Sequence, residues 1–155
     1  MTLTVFIAAV AIIFSVVTYG LTRRRELAWK RTEFLSDQAK YLEDDPGLVE
    51  AITILEDRHP TITVNKVFGD DNDLDESTRA AYKQKFDKLL GFLWRLCYAY
   101  RQMKTLSSTE VEAFGWYYWR VSRFPSLVDY CQENGFSDII AVIKELKLDE
   151  EEEDD

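Results

Sequence analysis

The sequence predicts an all-α protein: a single N-terminal transmembrane helix running on into a stalk, then a small cytoplasmic helical bundle and a disordered acidic tail. Three observations predict it. The chain has no side chain that is charged at neutral pH from Met1 to Thr22, an unbroken apolar seam recurs at helical spacing from Tyr82 to Met103, and no two strand-like segments are available to pair. Four segments follow, the anchor at residues 1–22, a basic stalk at 23–44, the helical domain at 45–147 with an acidic loop at 69–76, and the tail at 148–155.

The 19 residues Leu3 to Leu21 would make a helix of about 28 Å, close to the ~30 Å hydrocarbon core of a bilayer. Eleven of them are Leu, Ile, Val or Phe, together worth roughly -3 to -7 kcal/mol on an insertion scale, so the run should tolerate one central charge only marginally. Arg23, Arg24 and Arg25 follow the run and no cation precedes it. A cleavable signal peptide has the opposite order, and the positive-inside bias puts the N-terminus outside and the C-terminal domain in the cytoplasm, most naturally at a plasma or inner membrane. Cys97 and Cys131 fit that compartment, being two isolated thiols in apolar helical surroundings without CxxC spacing.

From Arg23 to Glu43 there is neither Pro nor Gly, so the spanning helix should continue as a stalk. Leu27/Ala28, Phe34/Leu35 and Tyr41/Leu42 repeat every seven residues with Arg31 and Gln38 between them, half of a heptad stripe. Asp44-Asp45-Pro46 starts a helix that should run to about Arg58, where His59-Pro60 ends it. Thr61 to Val67 alternates apolar residues but has no partner strand, which predicts an extended linker. The seam Tyr82, Phe86, Leu89, Leu93, Leu96, Tyr100, Met103 predicts a helix from about Ser77 to Lys104, widened by Leu90, Trp94 and Cys97 into a surface suited to a bundle. Outside the seam lie Arg79, Lys83, Lys85, Lys88, Arg95, Arg101 and Lys104 against the single acid Asp87, a basic face that the acidic tail is expected to shield. Ser107 with Glu110, and Thr109 with Glu112, offer overlapping capping boxes for a helix through Phe114 and Trp116–Trp119 to Phe124-Pro125. Asn134-Gly135 stops the next helix, and Ser137 or Asp138 starts the last.

Several kinds of chemistry find no support in these residues. The formal charge is -9, of which Asp149 to Asp155 supply seven, and a chain so balanced lacks the basic footprint of a nucleic-acid binder. The loop with Asp70, Asp71, Asp73, Asp75 and Glu76 fails as a calcium loop. Counted from Asp71, the sixth position is Glu76 where Gly is required, and the twelfth is Tyr82 where a bidentate acid should close the site. There is one histidine, His59, at a helix end, and no phosphate loop, HExxH, GxSxG or Cys/His metal spacing. No cofactor, metal or small-molecule substrate is therefore expected, and no catalytic residue is assigned.

The most unusual composition is Trp116-Tyr117-Tyr118-Trp119 with Arg120 and Arg123. Successive helical residues turn by about 100°, so four consecutive rings cannot all face one core. Trp116, Tyr117, Trp119, Arg120 and Arg123 are accordingly the candidate contacts to a partner, since aromatics and Arg are enriched where proteins meet proteins.

An N-terminal span, an Arg-rich stalk, Leu89-Leu90-Gly91-Phe92-Leu93 on a long helix, a turn at Leu106-Ser107-Ser108 and an aromatic helix carrying Arg120 together resemble a loosely defined family. Its members are short, mostly bacterial single-pass membrane proteins known only as a domain of unknown function. The likeness covers roughly Thr4 to Tyr130 as architecture and implies no catalytic residue. The expectation is thus a membrane-anchored helical adaptor whose partners are the bilayer and another protein or a second copy. The alternatives are a small membrane-perturbing effector, such as a toxin or defence component, and an enzyme with a dispersed site.

Overall fold

The computed structural model describes residues 2–69 and 73–149, with side chains from Phe14 onward. Among the described residues eight helices follow in order: α1 (Thr2–Asp44), α2 (Pro46–Leu55), α3 (Val64–Phe68), α4 (Glu76–Arg101), α5 (Ser108–Glu112), α6 (Gly115–Ser122), α7 (Pro125–Glu133) and α8 (Ser137–Glu145). No strand occurs among the described residues, so the all-α expectation holds. The chain divides into two compact units, residues 1–39 and 40–155.

The first unit is helix α1 up to Ala39. Its backbone is helical through the whole of Leu3–Leu21 and the stalk without interruption, as the absence of Pro and the single Gly20 allow. Among the described residues no helix is long and apolar enough to cross a membrane. Of the expected span, the side chains up to Ile13 lie outside the described residues; those from Phe14 to Leu21 are all exposed.

The second unit is built around α4, against which α2, α3, α5 and α8 pack, with α7 bridging α3, α6 and α8. The seam behaves as its spacing requires. Phe86, Leu89, Leu93 and Leu96 are fully buried, together with Leu90 and Cys97 that widen it, while Tyr82 and Tyr100 at its ends are half-buried. Burying each large apolar side chain is worth roughly 1.5–3 kcal/mol, which is what holds the unit together. The last turn of α1 belongs here too: Leu42 is buried and the Arg95 guanidinium lies 5.2 Å from the Tyr41 ring centroid, so the packed unit begins five residues before the boundary expected at residue 45.

Several boundaries differ from the sequence-based expectations. α2 ends at Leu55 rather than Arg58, because Asp57 takes a left-handed conformation (φ 58°) and His59 closes the following turn, its Nδ1 accepting the amides of Thr61 (3.3 Å) and Ile62 (3.0 Å). The predicted extended linker contains α3 instead. Thr63 Oγ1 accepts the Lys66 amide at 3.3 Å, and Val64 and Val67, three apart on one face, are both fully buried. α4 stops at Arg101; Lys104 turns left-handed (φ 50°), which throws Met103 out of the seam into solvent. The one aromatic helix expected after Ser107 is two, because the chain breaks at Ala113 and Phe114.

The caps at Asp45 and Ser107 fall where the sequence put them; Thr109 lies inside α5 instead of capping it, and Asp75, expected only as part of the acidic loop, caps α4. Asp45 accepts the Gly47 and Leu48 amides at the start of α2, Asp75 accepts the Thr78 amide at the start of α4, and Ser107 with Glu110 closes a capping box on α5. Asp75 is thereby committed to the helix N-terminus, and hydrogen bonds from Ser77 and Thr78 hold its carboxyl well below the usual carboxylate range. Gly135 ends α7 with φ 85°, a conformation that only glycine adopts without strain. The remainder of the acidic loop, residues 70–72, and the acidic tail from residue 150 lie outside the described residues.

Candidate interaction surface

The aromatic helix α6 divides its rings among three environments, as the 100° turn per residue requires. Tyr118 is fully buried, its hydroxyl donating to the Leu93 carbonyl at 3.0 Å with Cys97 Sγ at 3.5 Å. Trp119 and Tyr117 are half-buried, and Trp116 is 43% exposed with its ring edge-on to Tyr117 at 5.2 Å. Burial, then the nearby carboxylates of Glu56 and Glu43, push the Tyr117 hydroxyl upward, so it stays protonated and able to donate.

Arg120, expected at a partner interface, turns inward instead. Its Nε donates to the Leu55 carbonyl at 2.8 Å and its Nη2 to Asp57 Oδ2 at 2.6 Å, so the guanidinium caps α2 from across the domain. The plane of that same group lies near Trp116, Trp119 and Phe124, with centroids 6.0, 5.7 and 5.2 Å away. Arg123 is exposed and lies 5.4 Å from the Trp119 ring. The outward part of the cluster is therefore Trp116, the edge of Tyr117, and Arg123, laid over a rigid floor of Trp119 and Arg120. Such a surface offers an apolar plate, a phenol donor and a cation to whatever docks on it.

The basic face of α4 is mostly consumed inside the domain. Lys85 pairs with Glu50 at 2.6 Å, Lys88 with Asp45 at 2.9 Å, and Arg101 with Asp138 at 2.6 Å, while Lys83 sits 5.9 and 5.6 Å from the Phe68 and Tyr130 ring centroids. Lys88 draws the Asp45 carboxyl down, and Lys85 does the same to Glu50. These cations join α4 to α2 and α8, which one-dimensional charge patterning could not separate from an open basic face.

Nucleophiles and bases are arranged for structure. Burial pushes the Cys97 thiol up to about 11 and the Cys131 thiol up to about 12, so both are neutral and unreactive at ordinary pH. His59, with Nδ1 occupied by two amides, presents Nε2 to Glu50 Oε1 at 3.8 Å, too long for a hydrogen bond. A shallow cleft of about 330 Å³ lies between α3 and α7, lined by Phe68, Lys83, Ser126, Asp129, Tyr130 and Glu133 among others. Desolvation and a hydrogen bond to Asp87 raise the Tyr130 phenol to about 12. Among the described residues no group of three or more His, Cys, Asp or Glu side chains could hold a metal ion.

Two of these features escaped the sequence reading. Arg120 and Leu55 are 65 residues apart, and Tyr118 and Leu93 are 25 apart, so neither pairing leaves a local mark. α3 did leave one: a Thr cap ahead of Val64 and Val67, with Gly69 just past the end. Compared with known proteins, the chain matches no family model, no curated protein and no solved structure.

Proposed function

We propose that this chain is a membrane-anchored helical adaptor: residues Leu3–Leu21 cross a bilayer, the domain from Lys40 onward lies on the cytoplasmic side, and that domain binds another protein or a second copy of itself. The observation that carries the reading is the run Phe14–Leu21. It is helical, every one of its side chains is exposed, and it continues an apolar sequence that begins at Leu3 and ends in three arginines. An apolar stretch of this length costs too much free energy in water to stay uncovered, and lipid covers it without any partner. The exposed Trp116, Tyr117 edge and Arg123 support the second half of the reading, as does the resemblance to short tethered helical proteins.

Fractionation tests the anchor. After an alkaline wash the intact protein should remain in the membrane pellet; recovery in the supernatant would overturn the tether and the adaptor reading with it. A photoreactive residue in place of Trp116 tests the interface. Irradiated membranes should give one discrete crosslinked species, absent when the same residue replaces the exposed Gln84 on α4, and a protein that stays an uncrosslinked monomer would reject the surface.

A further inference from the structure

The cations that follow the apolar run form a ring, not a stripe. With a turn of about 100° per residue, Arg23 and Lys30 share one direction, Arg24 and Arg31 a second and Arg25 a third, the three rows standing about 100–150° apart around the axis. All five are exposed. None is in an ion pair among the described residues, although Glu26 and Glu33 lie on the same helix; Arg23 instead donates to the Tyr19 hydroxyl at 3.3 Å. Trp29, 73% exposed, projects in the gap between the Arg25 row and the Arg23/Lys30 row.

A partner protein docking on one side of a helix is met by cations on one face. A ring is satisfied by a ligand that surrounds the helix. We propose that Arg23, Arg24, Arg25, Lys30 and Arg31 form a collar that binds the phosphates of anionic lipid headgroups on three sides of α1, the remaining side carrying Trp29, Glu26 and Glu33. The inference rests on the anchored reading and adds to it the class of lipid. With Leu3–Leu21 filling the hydrocarbon, Arg23–Arg25 stand in the headgroup layer, which is about 5–7 Å deep on each side. Lys30 and Arg31 follow about 9 Å farther along the axis, close enough for long side chains to reach back. Each guanidinium presents a fork of donors matched to phosphate oxygens, and the excess of anionic lipid on a cytoplasmic leaflet supplies the charge the collar lacks within the chain. Tyr19 and Trp29 bracket the collar as amphipathic rings of the kind found at membrane interfaces.

The test uses the full chain in phosphatidylcholine vesicles carrying trace spin-labelled phosphatidylglycerol or spin-labelled phosphatidylcholine, with the immobilised fraction of each label read by electron paramagnetic resonance. The protein should insert in both cases and immobilise the phosphatidylglycerol label at least about threefold more strongly at low salt, a preference that fades as salt screens it. The variant Arg23→Gln/Arg24→Gln/Arg25→Gln/Lys30→Gln/Arg31→Gln should insert equally and lose the preference. Lys104→Gln/Lys144→Gln, which removes two exposed cations of the domain, should keep it. Insertion without any preference for the anionic label overturns the collar and leaves the anchor standing. A preference that appears only once residues 149–155 are deleted also overturns it, since the chain's own acids would then be the occupant. Failure to insert into vesicles of either kind overturns collar and anchor together.

Discussion

Residues 14–33 and residues 76–101 are both helical, yet they are helical for opposite reasons. In α4 the apolar positions recur at four and three and vanish into a core that fixes the helix by burial; from Phe14 to Glu33 every side chain is exposed, so nothing within the chain rewards the helix beyond its own hydrogen bonds. The difference teaches that the second unit carries its solvent-excluded environment with it, whereas the apolar part of the first, on the reading proposed above, takes its own from lipid. In lipid, where an unpaired backbone group is costly, a helix is the form such a segment has to take.

Substitutions should separate the two regimes. Phe86→Ala removes a fully buried ring between α4 and its neighbours and should lower the domain's unfolding free energy by about 3–5 kcal/mol, read as an earlier denaturant midpoint. Leu27→Ala, at an exposed stalk position, should change the same midpoint by less than about 0.5 kcal/mol; an equal loss at both sites would erase the distinction. Val16→Asp reverses the ranking. It should leave the domain's unfolding unchanged and cost about 2.5–3.5 kcal/mol of insertion, moving protein from the alkaline-washed pellet to the supernatant.

The next effects sharpen what holds the second unit. Arg120→Ala removes two donors from the Leu55 carbonyl and the partner of Asp57, and should cost about 2 kcal/mol, with hydrogen exchange accelerated at the end of α2 before anywhere else. Arg123→Ala, at the exposed rim, should spare stability and weaken partner capture. The thiols set an alkaline limit. Folding holds Cys97 and Cys131 protonated up to about 11 and about 12, whereas an unfolded thiol ionises near 9, so their contribution is full below pH 9 and is lost as pH rises toward 11–12. At pH 10 the loss should be about 1 kcal/mol per thiol, and thermal melting across pH 8–11 should show it, with the slope reduced in Cys131→Ala. One substitution runs the other way: a Cβ at Gly91 meets nothing within 4 Å, so Gly91→Ala should stabilise α4 by about 0.5–1 kcal/mol.

How far the sequence foretold this follows from the range of each interaction. Asp45, Asp75 and the Ser107–Glu110 box act within three or four residues, as does the stop at Gly135, and all are readable from neighbours alone. The seam of α4 is readable because its period persists over twenty residues. α3 was missed because a five-residue helix has too little period to count and survives by burying Val64 and Val67. The inward turn of Arg120 and the use of Lys85, Lys88 and Arg101 as internal ties depend on acceptors 35 to 65 residues away. Composition identified α6 as the unusual helix without showing which rings face out; its exposed edge reduces to Trp116, part of Tyr117 and Arg123.

The clasp between Arg120 and the end of α2 also orders events in time. A ribosome adding about 5–20 residues per second needs roughly 3–13 s to pass from Leu55 to Arg120, a separation of 65 residues. Throughout that interval the Leu55 carbonyl at the end of α2 lacks its guanidinium donors, while the carbonyls just before it are already met by the local turn. On the anchored reading proposed above, biosynthesis would moor the polypeptide before this latch can close, and any factor guarding the newborn protein has its opening in those few seconds.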